Sequence, residues 1–253
     1  MALVATELEL YARGVATLLA SWDEVARGAE GAALRRLDGV TAAVFPSGPE
    51  RAVYNNALFA RDLGPDRRIA AVDRMEAAYR SAEVDRYAAW VHESDEGMRA
   101  ELTGRGYTLV ESTRAMGMSL DEFPAPRHAI DVEIEPLRDW GDYLAYLTGM
   151  GAPAGLLAGA DPSAFHTLAA RLGGETVGTA IAFDHDGDCG VFNTSTVAEA
   201  RRRGIGTALT SRHLHDAAAR GCSTASLQST PIAEGVYAAV GFRDLGRFLE
   251  FGP

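Results

Sequence analysis

Thr196-Val-Ala-Glu-Ala-Arg-Arg-Arg-Gly-Ile-Gly-Thr-Ala-Leu209 is the stretch on which the reading of this chain turns. It has the form of a β-strand ending, a basic glycine loop and the opening of a helix. Val191–Val197 is made of β-branched, aromatic and small polar residues, as strands favour. Thr207–Arg220 sets Ala208, Leu209, Leu214, Ala217 and Ala218 on an apolar stripe at helical spacing. Between them stands Arg201-x-x-Gly204-x-Gly206. Glycine admits positive φ and lets a ligand approach the backbone closely. The first N–H groups of a helix lack internal partners and lie at the positive end of its dipole. Strand, glycine loop and helix start together make a candidate diphosphate site. Two rival glycine motifs do not fit. The dinucleotide fingerprint needs a third glycine where Leu209 stands, and the P-loop needs a lysine, which this chain lacks altogether. A solvated basic loop at a helix start is the plainer alternative.

A second signal follows at Leu227-Gln-Ser-Thr-Pro-Ile-Ala-Glu-Gly-Val-Tyr237-Ala-Ala-Val-Gly-Phe242. It reads as a strand end, a short helix, then Gly-Phe entering a last strand. With both motifs in order, the chain resembles the GNAT superfamily of acyl-CoA N-acyltransferases over about 130–253. Arg201, Gly204 and Gly206 match the family's pyrophosphate loop. Tyr237, four residues before Gly241-Phe242, matches its late-helix tyrosine. The family often has Asn seven residues before that tyrosine; here the position is Thr230. The resemblance implies an α/β fold on a mixed sheet and acetyl-CoA as co-substrate.

Composition bounds the rest. At 253 residues the chain could hold one large domain or two small ones. Its apolar runs are far shorter than the ~18 residues of a membrane span. No secretory signal pattern is evident at the N-terminus. Cys189 and Cys222 are the only cysteines and suit a reducing cytoplasm better than a disulfide scaffold. No zinc-like Cys/His spacing is found, so no metal is expected. The net charge of −11 argues against duplex nucleic acid; plain solubility accounts for it first, with mild steering of cationic substrates as the alternative. Neither nucleic acid nor a membrane is expected as partner, and a homodimer is left open. An all-arginine basic set fits a GC-rich bacterial genome.

Along the chain, Asp121-Glu-Phe-Pro-Ala-Pro-Arg127 reads as a linker, because prolines disfavour helix and central strand. It divides a domain over 1–125 from one over 126–253. In the second, Val132–Glu135 reads as a strand and Leu137–Thr148 as a helix. Gly149–Ala160 reads as loop, Phe165–Leu172 and Thr176–Phe183 as a hairpin about Gly173-Gly174. The first domain repeats the pattern. Met1–Ala26 and Ile69–Arg80 read as helices, Thr41–Phe45 and Arg51–Phe59 as a hairpin, Tyr87–Glu93 as a strand, Asp95–Gly104 as a helix and Arg114–Leu120 as a last strand. This suggests a second, degenerate GNAT-like module. Its counterpart of the glycine loop, Leu63-Gly-Pro-Asp-Arg-Arg68, has one glycine, and the following proline removes an N–H donor. An unrelated accessory domain is the alternative.

The chemistry expected is acetyl transfer to a primary amine on a small molecule, with the N-terminal half helping to shape the acceptor pocket. The backbone of Arg202, Arg203, Gly204, Ile205, Gly206 and Thr207 would face the pyrophosphate, with Arg201 adding charge. By the resemblance, the pantetheine pairs with Ser195, Thr196 and Val197, where a backbone N–H serves as oxyanion donor. Tyr237 is the candidate acid for the leaving thiolate; a purely packed tyrosine is the alternative. Thr230 and Tyr237 complete the cofactor set. No general base is legible: Asp184, His185, Asp186 and Asp188 read as a solvated hairpin tip, and His213 and His215 as helix residues turned away from substrate. A catalytically silent acyl-CoA-binding or regulatory module is the competing function.

Overall fold

The computed structural model describes residues 5–123 and 132–253. The chain forms two compact units, each assembled from separated stretches. Unit 2 comprises Ser21–Arg114, Pro153–Ala160 and Gly246–Pro253. Unit 1 comprises Met1–Ala20, Ala115–Ala152 and Asp161–Leu245. Helix α1 (Glu7–Arg27) contributes to both.

In unit 2, β1 (Ala33–Leu37) and β2 (Val40–Val44) form a hairpin turned at Asp38-Gly39, where Gly39 has φ +86°. A single helical turn, α2 (Arg51–Tyr54), leads to β3 (Asn56–Phe59), antiparallel to β2. Helix α3 (Pro65–Ser81) crosses over to β4 (Ala88–His92), parallel to β3. Helix α4 (Glu96–Gly104) starts where the Asp95 carboxylate accepts the Met98 N–H at 3.0 Å. β5 (Thr108–Ser119) follows. Val72, Met75 and Tyr79 of α3 and Met98 and Leu102 of α4 pack on Val40, Ala42, Ala57, Phe59 and Val91 of the strands.

Unit 1 takes the end of β5 and adds β6 (Glu133–Pro136), α5 (Trp140–Gly149), β7 (Phe165–Leu172), β8 (Glu175–His185) and β9 (Asp188–Thr196). Helix α6 (Ile205–Arg220), β10 (Thr224–Ser229), α7 (Glu234–Val240) and the first residues, through Leu245, of β11 (Arg243–Gly252) complete it. β7, β8 and β9 are antiparallel neighbours, and β10 is parallel to β9. Ile205 and Leu209 of α6 pack on Leu168, Ala170 and Ala180. Leu214 and Ala217 meet Met116, Met118, Val191, Leu227, Tyr237 and Val240. Helix α1 comes so near β10 that a Cβ on Gly14 would lie 2.9 Å from Ser226 Cβ.

Leaving aside the single turn α2, one element order occurs twice: α1-β1-β2-β3-α3-β4-α4-β5 and α5-β7-β8-β9-α6-β10-α7-β11. In each, the third strand is antiparallel to the second and parallel to the fourth. The expected duplicate grammar is therefore present. The units are interleaved in sequence, however. Phe248–Phe251 of β11 pair with Ala89–His92 of β4 in unit 2, while Met116 and Met118 of β5 are core in unit 1.

Local differences from the sequence reading have local causes. The expected strand Arg51–Phe59 is a helical turn plus β3, because Asn55, fully buried, bonds Phe45 N–H and O through its amide and turns the chain there. β1 has no signature in the sequence pattern, because its Arg35-Arg36 interrupts the apolar alternation. Arg35 reaches Ser81 Oγ at 2.8 Å. The expected loop Gly149–Ala160 includes a 3₁₀ turn, Leu156–Gly159, whose Leu156 and Leu157 are buried. The expected linker lies largely outside the described residues; Leu120–Glu122 is a 3₁₀ turn.

Candidate active site

The glycine loop has the anticipated form. β9 ends at Thr196, a 3₁₀ turn spans Ala198–Ala200, and α6 begins at Ile205. Arg202 sits at φ +61° and Gly204 at φ +77°. A left-handed non-glycine residue costs roughly 1–2 kcal/mol, and such strain clusters at ligand clamps and active sites. Ile205, 2 % exposed, pins the helix start into the core. Among the described residues, the first backbone bond of the helix is Ala208 N–H to Gly204 O at 3.0 Å, and the N–H groups of Arg202–Thr207 have no intramolecular acceptor. Gly206 faces open space: an added Cβ would meet only Thr194 Cγ2, at 3.7 Å. Arg201, Arg202 and Arg203 are exposed, and Arg201 Nε donates to Thr196 O at 3.1 Å.

The strand before the loop is broken by a bulge. The β8–β9 register shifts between Thr179–Ser195 and Ile181–Phe192, with Asn193 at φ +49°. Asparagine tolerates that conformation better than other strand residues. β10 pairs with β9 at Thr224–Asp188, Ala225–Cys189 and Ser226–Gly190, and both strands continue beyond. The strands part just where β9 bulges. Asn193 Nδ2 is 3.4 Å from Tyr143 Oη, and Ser195 Oγ is 3.4 Å from Thr179 Oγ1. Tyr146 faces Ser195 from the same helix. Val197 N–H is bonded to Val177 O at 2.9 Å, so it is not free as an oxyanion donor. Successive N–H groups of a strand face opposite edges, which leaves Thr196 N–H on the edge toward β10.

Tyr237 is buried on α7, with Phe242 edge-on to its ring at 6.0 Å. Burial pushes its phenol pKa up, and the nearby Thr194 hydroxyl pulls it partly back. The Thr194 and Tyr146 hydroxyl oxygens are buried without a well-formed hydrogen bond. Burial also raises Tyr146, and raises Tyr143 to about 12. The structure thus gathers Ser195, Thr196, the loop amides and Tyr237 around the parted end of β9. It adds Tyr143, Tyr146, Asn193 and Thr194, which the sequence reading did not single out as site residues. An asparagine amid strand formers was the available signal for the bulge. Thr230 is exposed, its carbonyl accepting from Ser229 Oγ and Ala233 N–H.

The presumed hairpin tip is only partly solvated. Arg220 and His166 bind Asp184 and hold its carboxyl well below the usual range, against the opposing effect of burial. Asp188 is 1 % exposed and accepts from Thr17, Thr224 and Ser226 hydroxyls. His213 is buried rather than merely turned aside. In the other repeat, Gly64 caps α3 at φ −65°, an ordinary conformation, with Pro65 next. Arg67 and Arg68 are engaged by Asp38 and by Leu63 O. Among the described residues no group of three His, Cys, Asp or Glu could hold a metal, and no helix is long and apolar enough to cross a membrane.

Residues 120–242 match the acetyltransferase (GNAT) family model. A search of curated proteins finds no match. Among solved structures, a GCN5-related N-acetyltransferase from Kribbella flavida is similar at 17 % identity and TM-score 0.72, over 94 % of this chain and 95 % of that one. One from Sphaerobacter thermophilus is similar at 18 % identity and TM-score 0.62, over 99 % and 94 %. A tandem GNAT protein from the clavulanic acid biosynthesis pathway shares 13 % identity at TM-score 0.60, over 99 % and 97 %. At these identities the likeness is one of fold. The α/β GNAT fold, and the GNAT resemblance of the second motif-bearing half, are thereby established.

Proposed function

We propose that unit 1 is an N-acyltransferase that moves an acetyl group from acetyl-CoA to a primary amine of a small molecule. The observation that carries this reading is the run of unpartnered N–H groups, Arg202–Thr207, at the point where β9 parts from β10. Such a cradle suits the pyrophosphate, and the open side of Gly206 allows its close approach. The pantetheine arm lies along the free edge of β9, with Thr196 N–H directed at the acyl carbonyl oxygen. Arg201, Arg202 and Arg203 attract the anionic nucleotide end. The amine nitrogen attacks the thioester carbon; the C–N bond forms, the C–S bond breaks, and Tyr237 Oη gives its proton to the departing thiolate. The raised phenol pKa keeps that proton in place at neutral pH. The proton lost by the amine leaves to water, and water returns one to Tyr237 Oη, so the enzyme is restored.

Thiol release from acetyl-CoA, measured with a panel of primary amines, tests the reading. Amine-dependent release that a Gly206→Val variant loses supports it. Tight acetyl-CoA binding with no release for any amine favours the silent binding module instead.

A further inference from the structure

A regular strand sends alternate side chains to opposite faces, so Val191, Asn193 and Ser195 of β9 would share one. Val191 packs in the core with Leu214 of α6 and with Tyr237 and Val240 of α7. The bulge breaks that alternation. Between the pairs Ile181–Phe192 and Thr179–Ser195, Asn193 and Thr194 oppose the single residue Ala180. Asn193, at φ +49°, turns to Tyr143 of α5, and Ser195 faces Tyr146 of the same helix. Thr194 takes the side of α6 and α7 instead. An added Cβ on Gly206 would meet its Cγ2 at 3.7 Å, and its hydroxyl stands near the Tyr237 phenol. One inserted residue thus exchanges Asn193 for Thr194 beside the tyrosine.

Thr194 Oγ1 is buried, out of reach of a ligand, and has no well-formed hydrogen bond at rest. A buried hydroxyl left unpaired is costly. The group it can serve is the protein side chain beside it. Tyr237 is where charge would appear: on the acyl-transfer reading proposed above, it gives its proton to the departing thiolate and is left as a phenolate. Burial disfavours that anion, and no charged side chain offsets the effect; neither Glu234, a turn earlier on α7, nor the loop arginines shift this phenol. A donor already in place is worth most in such a site.

We infer that Thr194 is a positioning residue for the acid: its hydroxyl donates to Tyr237 Oη as the phenolate forms and holds that oxygen until water returns the proton. Thr194 keeps its own proton throughout. Its part in turnover rests on the acyl-transfer reading; the pairing with Tyr237 can be read without turnover.

Two variants separate hydroxyl from shape. Thr194→Val keeps the branched side chain against Gly206 and removes the hydroxyl; Thr194→Ser keeps the hydroxyl and removes the methyl group. Difluorotyrosine placed at 237 has a more acidic phenol, which titrates where the protein is folded, and its ¹⁹F signal follows that titration without acyl-CoA. Thr194→Val should make this phenol about tenfold or more weaker as an acid, the size expected for a hydrogen bond to a charged group, with no fall in thermal midpoint. Thr194→Ser should titrate like the parent. With ordinary tyrosine, Thr194→Val should lower kcat about tenfold or more at little change in the acetyl-CoA KM, and should cost nothing further in a Tyr237→Phe background. An unchanged titration in Thr194→Val overturns the proposal, as does an equal loss of turnover with and without the Tyr237 hydroxyl. If no amine gives turnover, the acyl-transfer reading fails, and the titration still decides whether Thr194 serves Tyr237.

Discussion

Gly204 and Gly206 make different demands. Gly204 holds φ +77°, so any side chain there strains the turn by roughly 1–2 kcal/mol whatever binds nearby. Gly206 is helical, and a Cβ there meets nothing closer than 3.7 Å. The protein itself has room for a larger residue; the proposed pyrophosphate does not. Gly206→Val should therefore melt within a few degrees of the wild type and lose acetyl-CoA binding by calorimetry. Gly204→Ala should lose both stability and affinity. A well-folded Gly206→Val with unchanged affinity would sink the cradle. Tyr237 poses the complementary question. Its ring fills space beside Phe242, and Phe keeps that packing, so Tyr237→Phe isolates the hydroxyl. Turnover should fall ~10²–10⁴-fold with little change in acetyl-CoA affinity. Because the phenol pKa is raised, wild-type turnover should also persist through the ordinary phenol range rather than decline at pH 10. Turnover within a few-fold of wild type would reduce Tyr237 to a packing residue.

At the scale of elements, β11 carries a titration set by burial and, after it, by the neighbouring strand. Glu250 is raised to about 7, mainly by burial and then by Glu111, with Thr113 pulling the other way. A raised carboxyl is stable in its protonated form. Its contribution is complete below the unfolded carboxylate value near ~4.3 and is lost as pH climbs to about 7. Glu250→Gln should stabilise the protein by roughly 1–3 kcal/mol at pH 8 and by nothing measurable at pH 4, read from urea unfolding. Equal stability of the two proteins at pH 8 would place Glu250 in an ordinary solvated setting. Such pairs are invisible in a linear pattern, because Glu111 and Glu250 meet only through strand pairing. The same limit explains what else was and was not legible. The α6 helix, the β7–β8 hairpin and the glycine loop were, since each is set by local periodicity or by glycine chemistry. The parting of β9 from β10 was not, nor was Asn193 as a bulge, nor the meeting of Tyr146 with Ser195. His213 looked peripheral because helical spacing gives a face but not what covers it. Tyr237 was found only because its spacing to Gly241-Phe242 is itself a motif.

The whole molecule sets its own limit on dissection. If only the unit-1 loop forms a diphosphate cradle, titration should give one acetyl-CoA per chain, since Gly64 has an ordinary φ and Arg67 and Arg68 are committed to protein partners. A stoichiometry of two would overturn that division of labour. It would be natural to test it on the isolated segment 126–253, but the interleaving of the units predicts failure. Unit 1 draws on residues far upstream. Arg13 Nη1 donates to Ser223 Oγ at 3.0 Å, and Thr17 supplies one of the three hydroxyls that satisfy buried Asp188. Leu10, Met116 and Met118 are each at most 3 % exposed. Burial of such side chains contributes roughly 1.5–3 kcal/mol apiece, and three of them approach the ~5–15 kcal/mol stability of a whole domain. Removing β5 also leaves β10 with a bare edge. The segment 1–125 is deprived in turn, because Phe248 and Phe251 of β11 are buried in unit 2 and pair with β4. Each segment expressed alone should be aggregated or lack a cooperative thermal transition. Co-expressed, the two should yield a soluble complex that binds acetyl-CoA like the intact chain. A lone 126–253 fragment that melts cooperatively and binds acetyl-CoA would show instead that the upstream helix and strand are accessories, and that the repeat folds as two independent halves.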